Sequence, residues 1–151
     1  MSELIKVKVP ASTANLGPGF DTLSLALDWY NEFTFKITEN GLKINQLNST
    51  KLPENSTNLV YKSFCEVFKY LKKTSPGIEL DINCQIPLSA GLGSSATAVV
   101  SGLLAANSLL NNVLSKEEIL SLATKIEGHP DNSSAAIFGG LTTSVSYNEK
   151  V

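Results

Sequence analysis

The stretch Pro87-Leu88-Ser89-Ala90-Gly91-Leu92-Gly93-Ser94-Ser95-Ala96 lies between two segments of different periodicity. Upstream, Gly77 to Ile86 alternates, with Ile78, Leu80, Ile82 and Cys84 on one face, as a buried strand does. Downstream, Ser94 to Leu110 is rich in Ala, Ser, Val and Leu and reads as a central helix able to pack close to a sheet or a ligand. A strand that feeds a helix through this loop puts two glycines where the backbone can take positive φ. It also opens unpaired helix N–H groups beside two hydroxyls. Such a loop is an anion cradle suited to phosphate groups. A Walker loop is excluded, because no Lys follows the glycines in GxxxxGK[ST] spacing. Gly91, Gly93 and Ala96 do satisfy G-x-G-x-x-G/A, but no convincing ribose-binding acid ends a strand about twenty residues on. A Gly-Ser helix cap without a ligand stays open as the bland alternative.

Working outward, Leu4 to Val9 alternates as a half-buried strand until Pro10 removes a ladder donor. Ala11 to Asp21 carries the turn chemistry of Asn15, Gly17, Pro18 and Gly19. Leu23 to Thr38 reads as strands, and Asn40-Gly41 before Leu42 is a hairpin signal, which predicts an antiparallel meander. Leu59, Phe64, Val67, Phe68 and Leu71 recur at helical spacing, predicting a helix over 57–73 capped by Thr57 or Ser56. Ser115-Lys116-Glu117-Glu118 fits a capping box for a helix through Ile126, with Leu120, Ala123 and Ile126 facing inward. Pro130 opens a short helix to Phe138, and Leu141 to Tyr147 is strand-like. No internal repeat is evident.

With 151 residues, 42% of them hydrophobic, the chain can bury the core of one domain but not comfortably of two. Net charge is −2 and no Lys run is dense enough to track a nucleic-acid backbone, so a small solute is the expected partner. The apolar stretches are short and the first residues form no signal-peptide core, so no membrane partner and a cytoplasmic location are expected. Cys65 and Cys84 lack metal-type spacing and are expected to be reduced thiols. All twelve basic residues are Lys. Without Arg, the usual bidentate partner of phosphates, that role falls to Lys, backbone N–H groups, a metal or residues outside this chain, and a fragment is the expectation.

Two further segments carry chemistry. Glu127-Gly128-His129-Pro130-Asp131-Asn132 gathers the only His, two carboxylates and an amide where one predicted helix ends and the next begins. It could hold Mg²⁺ and a substrate, or be an ordinary pair of helix caps. Ala11-Ser12-Thr13-Ala14-Asn15-Leu16-Gly17-Pro18-Gly19-Phe20-Asp21 reads by itself as a surface loop with Asx turns.

Together the three segments resemble the homoserine kinases of the GHMP superfamily, which also includes galactokinases and mevalonate kinases. The likeness runs from Val7 to about Thr142. GLGSSA marks the superfamily, whereas PASTANLGPGFD at Pro10 to Asp21 and EGHPDN at Glu127 to Asn132 are far more specific. The resemblance implies a two-layer α+β fold, a mixed but mainly antiparallel sheet packed against helices. This chain would be the amino-terminal ATP-binding domain, without the carboxy-terminal ferredoxin-like domain that closes the cleft. By the same resemblance, Pro87, Leu88, Ser89, Ala90, Gly91, Leu92, Gly93, Ser94 and Ser95 would bind ATP, with Ser95 and Glu127 near Mg²⁺. Asn15, Asp21, His129 and Asp131 would surround L-homoserine, and His129, Asp131 and Asn132 would serve catalysis. A homodimer is left open.

Two positions depart from the pattern. Several superfamily members have Asp where Asn132 falls, and Asn accepts no proton at neutral pH, so transfer would proceed by positioning the hydroxyl and neutralising phosphate charge. Many relatives carry Arg where this chain has Ala90, so modest ATP affinity is expected. The leading expectation is therefore phosphorylation of the L-homoserine side-chain hydroxyl by ATP on the route to threonine. The alternatives are a related kinase of a small alcohol such as mevalonate, or a nucleotide-binding module without catalysis.

Overall fold

The computed structural model describes residues 3–146. Its five strands form one sheet: β1 (Leu4–Ala14), β2 (Leu23–Thr38), β3 (Leu42–Gln46), β4 (Gly77–Asn83) and β5 (Leu141–Thr143). The order is β1-β2-β4-β3, with β5 also on β2. Four helices, α1 (Leu59–Tyr70), α2 (Ser94–Leu109), α3 (Lys116–Glu127) and α4 (Asp131–Phe138), complete an α+β fold. Every strand pairing is antiparallel except β3 with β4. Among the described residues no helix is long and apolar enough to cross a membrane, and Cys65 and Cys84 are free thiols.

The parallel pair corrects the expected meander. Asn40-Gly41 does turn the chain, but β3 does not fold back on β2, because β4 lies between them. Thr38 of β2 faces Gly77, while the Ile78 N–H donates to the Gly41 carbonyl at 3.0 Å. Since β3 and β4 run parallel, they need a crossover, and α1 supplies it, making a βαβ unit. Burial explains why the local hairpin signal loses: Ile78, Leu80 and Ile82 are at most 1% exposed, so β4 belongs in the sheet interior.

Two smaller expectations also shift. β1 runs through Pro10 to Ala14, since it is an edge strand whose register slips between Pro10 and Ser12, where a missing N–H is tolerated. The α1 cap is Asn58 rather than Thr57 or Ser56; its Oδ1 accepts from the N–H groups of Val60 and Tyr61, at 3.0 and 3.4 Å. The capping box at Ser115 and Glu118 forms as the sequence indicates. Strand pairing at the end of the chain covers only Leu141–Thr143, and Tyr147 lies outside the described residues.

The helices cover the face of the sheet that carries Phe33, Phe35, Ile78, Leu80 and Ile82. Phe35 stacks on Phe64 of α1 with ring centroids 5.6 Å apart. On the opposite face Glu79 accepts from Lys43 at 2.5 Å and Asn45 donates to Asp81 at 2.7 Å, surface contacts worth little. The Lys43 ammonium draws the Glu79 carboxyl below its ordinary range. α2 is buried nearly all round, which small residues permit. At Gly102 the approach of α1 is closest: a Cβ there would run into the Val60 carbonyl oxygen and stand 2.7 Å from the Phe64 nitrogen.

Because those obstacles are backbone atoms, Gly102→Ala should lower unfolding free energy by about 1–3 kcal/mol despite the better helix propensity of Ala. Urea denaturation measures it, and an unchanged or higher midpoint would contradict the close approach.

Candidate functional site

The loop between β4 and α2 turns through three residues of positive φ, Ser89 (57°), Gly91 (71°) and Gly93 (66°). Both of its ends are tied to one buried side chain. Asn31 of β2 accepts at Oδ1 from the N–H groups of Gln85 (2.8 Å) and Ile86 (2.9 Å), and its Nδ2 donates to Thr97 Oγ1 (2.8 Å) in the first turn of α2. Thr97 in turn donates to the Ser94 carbonyl at 2.7 Å. The first bond of α2 runs from the Thr97 N–H to the Gly93 carbonyl (3.0 Å), so the N–H groups of Ser94, Ser95 and Ala96 precede the helical ladder. No side chain caps them and no acid lies in that turn, which leaves an end electrostatically disposed toward anions.

The α3–α4 junction comes up beside this helix end. Gly128 closes α3 in the left-handed region, at φ 90°. Ser95 Oγ donates to Glu127 Oε1 at 2.8 Å, joining α2 to α3. The Asp131 side chain is only 1% exposed; its Oδ1 accepts from the Asn132 N–H and lies 2.8 Å from His129 Nδ1. A carboxylate on Nδ1 holds the proton there and leaves Nε2 of a neutral imidazole free to accept.

The third segment arrives at the same place through a residue the sequence did not mark. Ser12, fully buried, donates its N–H to the Leu92 carbonyl (3.1 Å) and its hydroxyl to Asn132 Oδ1 (2.9 Å). Gly93 lies against both: a Cβ there would strike Ser12 Oγ and stand 3.0 Å from Asn132 Oδ1. So β1, the glycine loop and α4 meet at one point.

A cavity of about 800 Å³ opens over this junction, within the range of small-molecule sites. Pro87, Leu88, Ser89, Ala90, Gly91, Leu92, Gly93, Ser94, Ser95, Glu127, His129 and Asn132 all line it. Asp131 stands behind His129 rather than on the wall. Asn15 and Asp21 lie off the wall and exposed, in a loop closed by the Asp21 N–H donating to Asn15 Oδ1 at 2.8 Å. Both take positive φ, 58° and 49°, which Asn and Asp tolerate. Cys84 also lines the cavity, and burial pushes its thiol up, which disfavours the nucleophilic thiolate. No cluster of three or more His, Cys, Asp or Glu side chains exists among the described residues. The Ser95 hydroxyl and Glu127 carboxylate are nevertheless hard oxygen donors of the kind Mg²⁺ takes when phosphate oxygens complete its shell.

Residues 58–140 match the model of the GHMP kinases N-terminal domain. The chain belongs to the GHMP kinase N-terminal domain family. Within that family it is 48% identical over 150 residues to a homoserine kinase of Caldanaerobacter subterraneus, covering 98% of this chain and 48% of that protein. A homoserine kinase of Trichormus variabilis is 45% identical, covering 90% and 46%. The solved homoserine kinase of Cytophaga hutchinsonii superposes with a TM-score of 0.87 at 31% identity, over 100% of this chain and 51% of that one. The chain thus spans about half the length of the relatives it matches. A mevalonate kinase of Methanococcus jannaschii shares the fold, at 20% identity and a TM-score of 0.75.

Asn31→Leu would leave the Gln85 and Ile86 amides without their acceptor, each at a cost of about 1–3 kcal/mol, and free the glycine loop from β2. Urea denaturation of Asn31→Leu tests this, and a midpoint equal to the parent's would contradict the tether.

Proposed function

We propose that this chain supplies the nucleotide loop and much of the acceptor site of a homoserine kinase, which transfers the γ-phosphoryl group of ATP to the side-chain hydroxyl of L-homoserine. The observation that carries the reading is the junction at Ser12. It bonds the most specific sequence segment, Pro10 to Asp21, to Asn132 of the second specific segment and to Leu92 of the glycine loop. The printed names of the relatives support the same reading.

In this reading the N–H groups of Ser94, Ser95 and Ala96 hold the phosphates, and Ser89, Gly91 and Gly93 give the loop the curvature to wrap them. Ser95 and Glu127 would hold Mg²⁺, which supplies neutralisation of phosphate charge when bound. Asn132 and His129 stand on the cavity wall toward the acceptor, and Asp131 fixes the His129 ring. Asp21 offers an exposed carboxylate suited to the substrate ammonium group, beside Asn15. The attacking hydroxyl oxygen bonds to the γ-phosphorus as the bond to the β,γ-bridging oxygen breaks, and the hydroxyl proton passes to a γ-phosphate oxygen. No strong protein base is required, and orientation with charge stabilisation provides the rate. The substrate carboxylate would be met by a second domain, since this chain has no Arg. A cytoplasmic setting, with ATP and L-homoserine as partners, follows from the same reading.

Calorimetric titration with a non-hydrolysable ATP analogue and Mg²⁺ tests the nucleotide site. Binding heat should appear with the parent, vanish with Gly93→Asp, and reflect tighter binding when L-homoserine is present. Heat retained by Gly93→Asp would place the nucleotide elsewhere. Asn132→Asp should not raise the rate of homoserine phosphorylation, and a large increase would restore a role for a protein base.

A further inference from the structure

Ser12 engages Asn132 in a way that decides which end of the carboxamide is left for a ligand. The Ser12 hydroxyl has one proton and two oxygens in reach, Asn132 Oδ1 at 2.9 Å and the Asn132 carbonyl at 3.3 Å. The shorter bond takes the proton, so Oδ1 is occupied. Asn132 Nδ2 has no protein partner among the described residues, and Asn132 lines the cavity. Ser12 itself cannot follow a moving Asn132, since it is buried and pinned by its N–H to Leu92.

We propose that Ser12 is a positioning residue that fixes the Asn132 carboxamide with its NH2 group toward the cavity, so that Asn132 meets its ligand as a hydrogen-bond donor. The chemistry such a donor fits is an oxygen that gains negative charge, either the acceptor hydroxyl oxygen or an oxygen of the transferring phosphoryl group. What the donor meets rests on the kinase reading; the orientation itself does not. The reversed carboxamide would have Nδ2 donating to Ser12 Oγ, Ser12 donating to the Asn132 carbonyl, and Oδ1 turned to the cavity. The two arrangements differ in where the amide protons lie. Gly93 guards the arrangement, because any Cβ there would displace Ser12 Oγ.

Nitrogen-15 NMR of the labelled chain separates them, with Asn132→Asp identifying the side-chain resonance by its disappearance. The Asn132 amide protons should exchange with water as an open carboxamide does. In Ser12→Ala the resonance should move or broaden, while Ser12→Cys, a weak donor of similar size, should shift it less. Protected amide protons in the parent, or a resonance that ignores Ser12→Ala in a chain still folded by its backbone spectrum, would overturn the proposal. Where the parent phosphorylates homoserine, Ser12→Ala should lower kcat roughly 10–100-fold, with KM for ATP within about twofold. An unchanged kcat would likewise overturn it. A parent with no turnover leaves the kinase reading to the nucleotide titration, since on that reading the substrate carboxylate is met outside this chain, and the exchange measurement then decides the orientation alone.

Discussion

The buried carboxamide of Asn31 is the constraint on which the rest of the site depends. Along one edge β2 pairs with β5 at Leu23 to Leu25 and with β4 from Glu32 to Thr38, and a gap separates the two partners. At this gap the chain leaves β4, and the Gln85 and Ile86 amides would be orphaned there without the Asn31 oxygen. The same side chain reaches Thr97, so the strand exit and the helix entry are held from one point. A loop of three positive-φ residues has little structure of its own to keep it in shape. Fixing both of its ends removes most of its freedom and leaves the helix end open in one place.

A second constraint follows from α2 lying deep in the helical layer. Its N-terminus faces the cavity while its flanks touch α1, α3, α4 and the sheet, so movement of that helix end would disturb the core. Gly102 and the run of Ala and Val residues make the depth feasible, and Asn31 and Ser12 couple the helix end to β2 and β1. Close packing thus holds this helix end more rigidly than a surface loop would be held.

Much of this could be read from the sequence where the signal was local. The helix read over 57–73, the capping box at Ser115 and the strand–loop–helix order around Gly91 each depend on neighbours within a few positions; the last two appear as expected and the first forms over the shorter span Leu59–Tyr70. What escaped was long-range. Asn40-Gly41 is a strong turn, yet nothing local says that β4 will enter between the strands it joins; that outcome is set by burial of Ile78, Leu80 and Ile82. Ser12 lies inside the Pro10 to Asp21 motif and Asn31 inside the strand-like stretch Leu23 to Thr38. Their partners lie 120 and 54 positions away, and a buried polar residue gives no sign of its partner in a single sequence. The one available clue is that Asn31 falls in step with Phe33 and Phe35 on the inward face of its strand, where a polar group must be satisfied once buried.

The charge distribution bears on how such a cavity can hold phosphates. Among the described residues no Lys stands on its wall, and the one carboxylate found there, Glu127, is already engaged by Ser95. On the proposed function, a helix dipole contributes about 0.3–1 kcal/mol, up to about 2 in favourable geometry. Micromolar affinity corresponds to roughly 8 kcal/mol. The dipole alone is therefore too small. Hydrogen bonds to a charged group contribute about 1.5–3 kcal/mol each, so three helix-end amides reach a comparable sum only if all three align on the anion. Alignment of those amides is what Asn31, Thr97 and the positive-φ loop residues control. On the proposed function, phosphate recognition in a chain without Arg would thus be a matter of backbone geometry more than of side-chain charge. That accounts for fully buried polar residues, rather than exposed basic ones, supporting this end of the molecule.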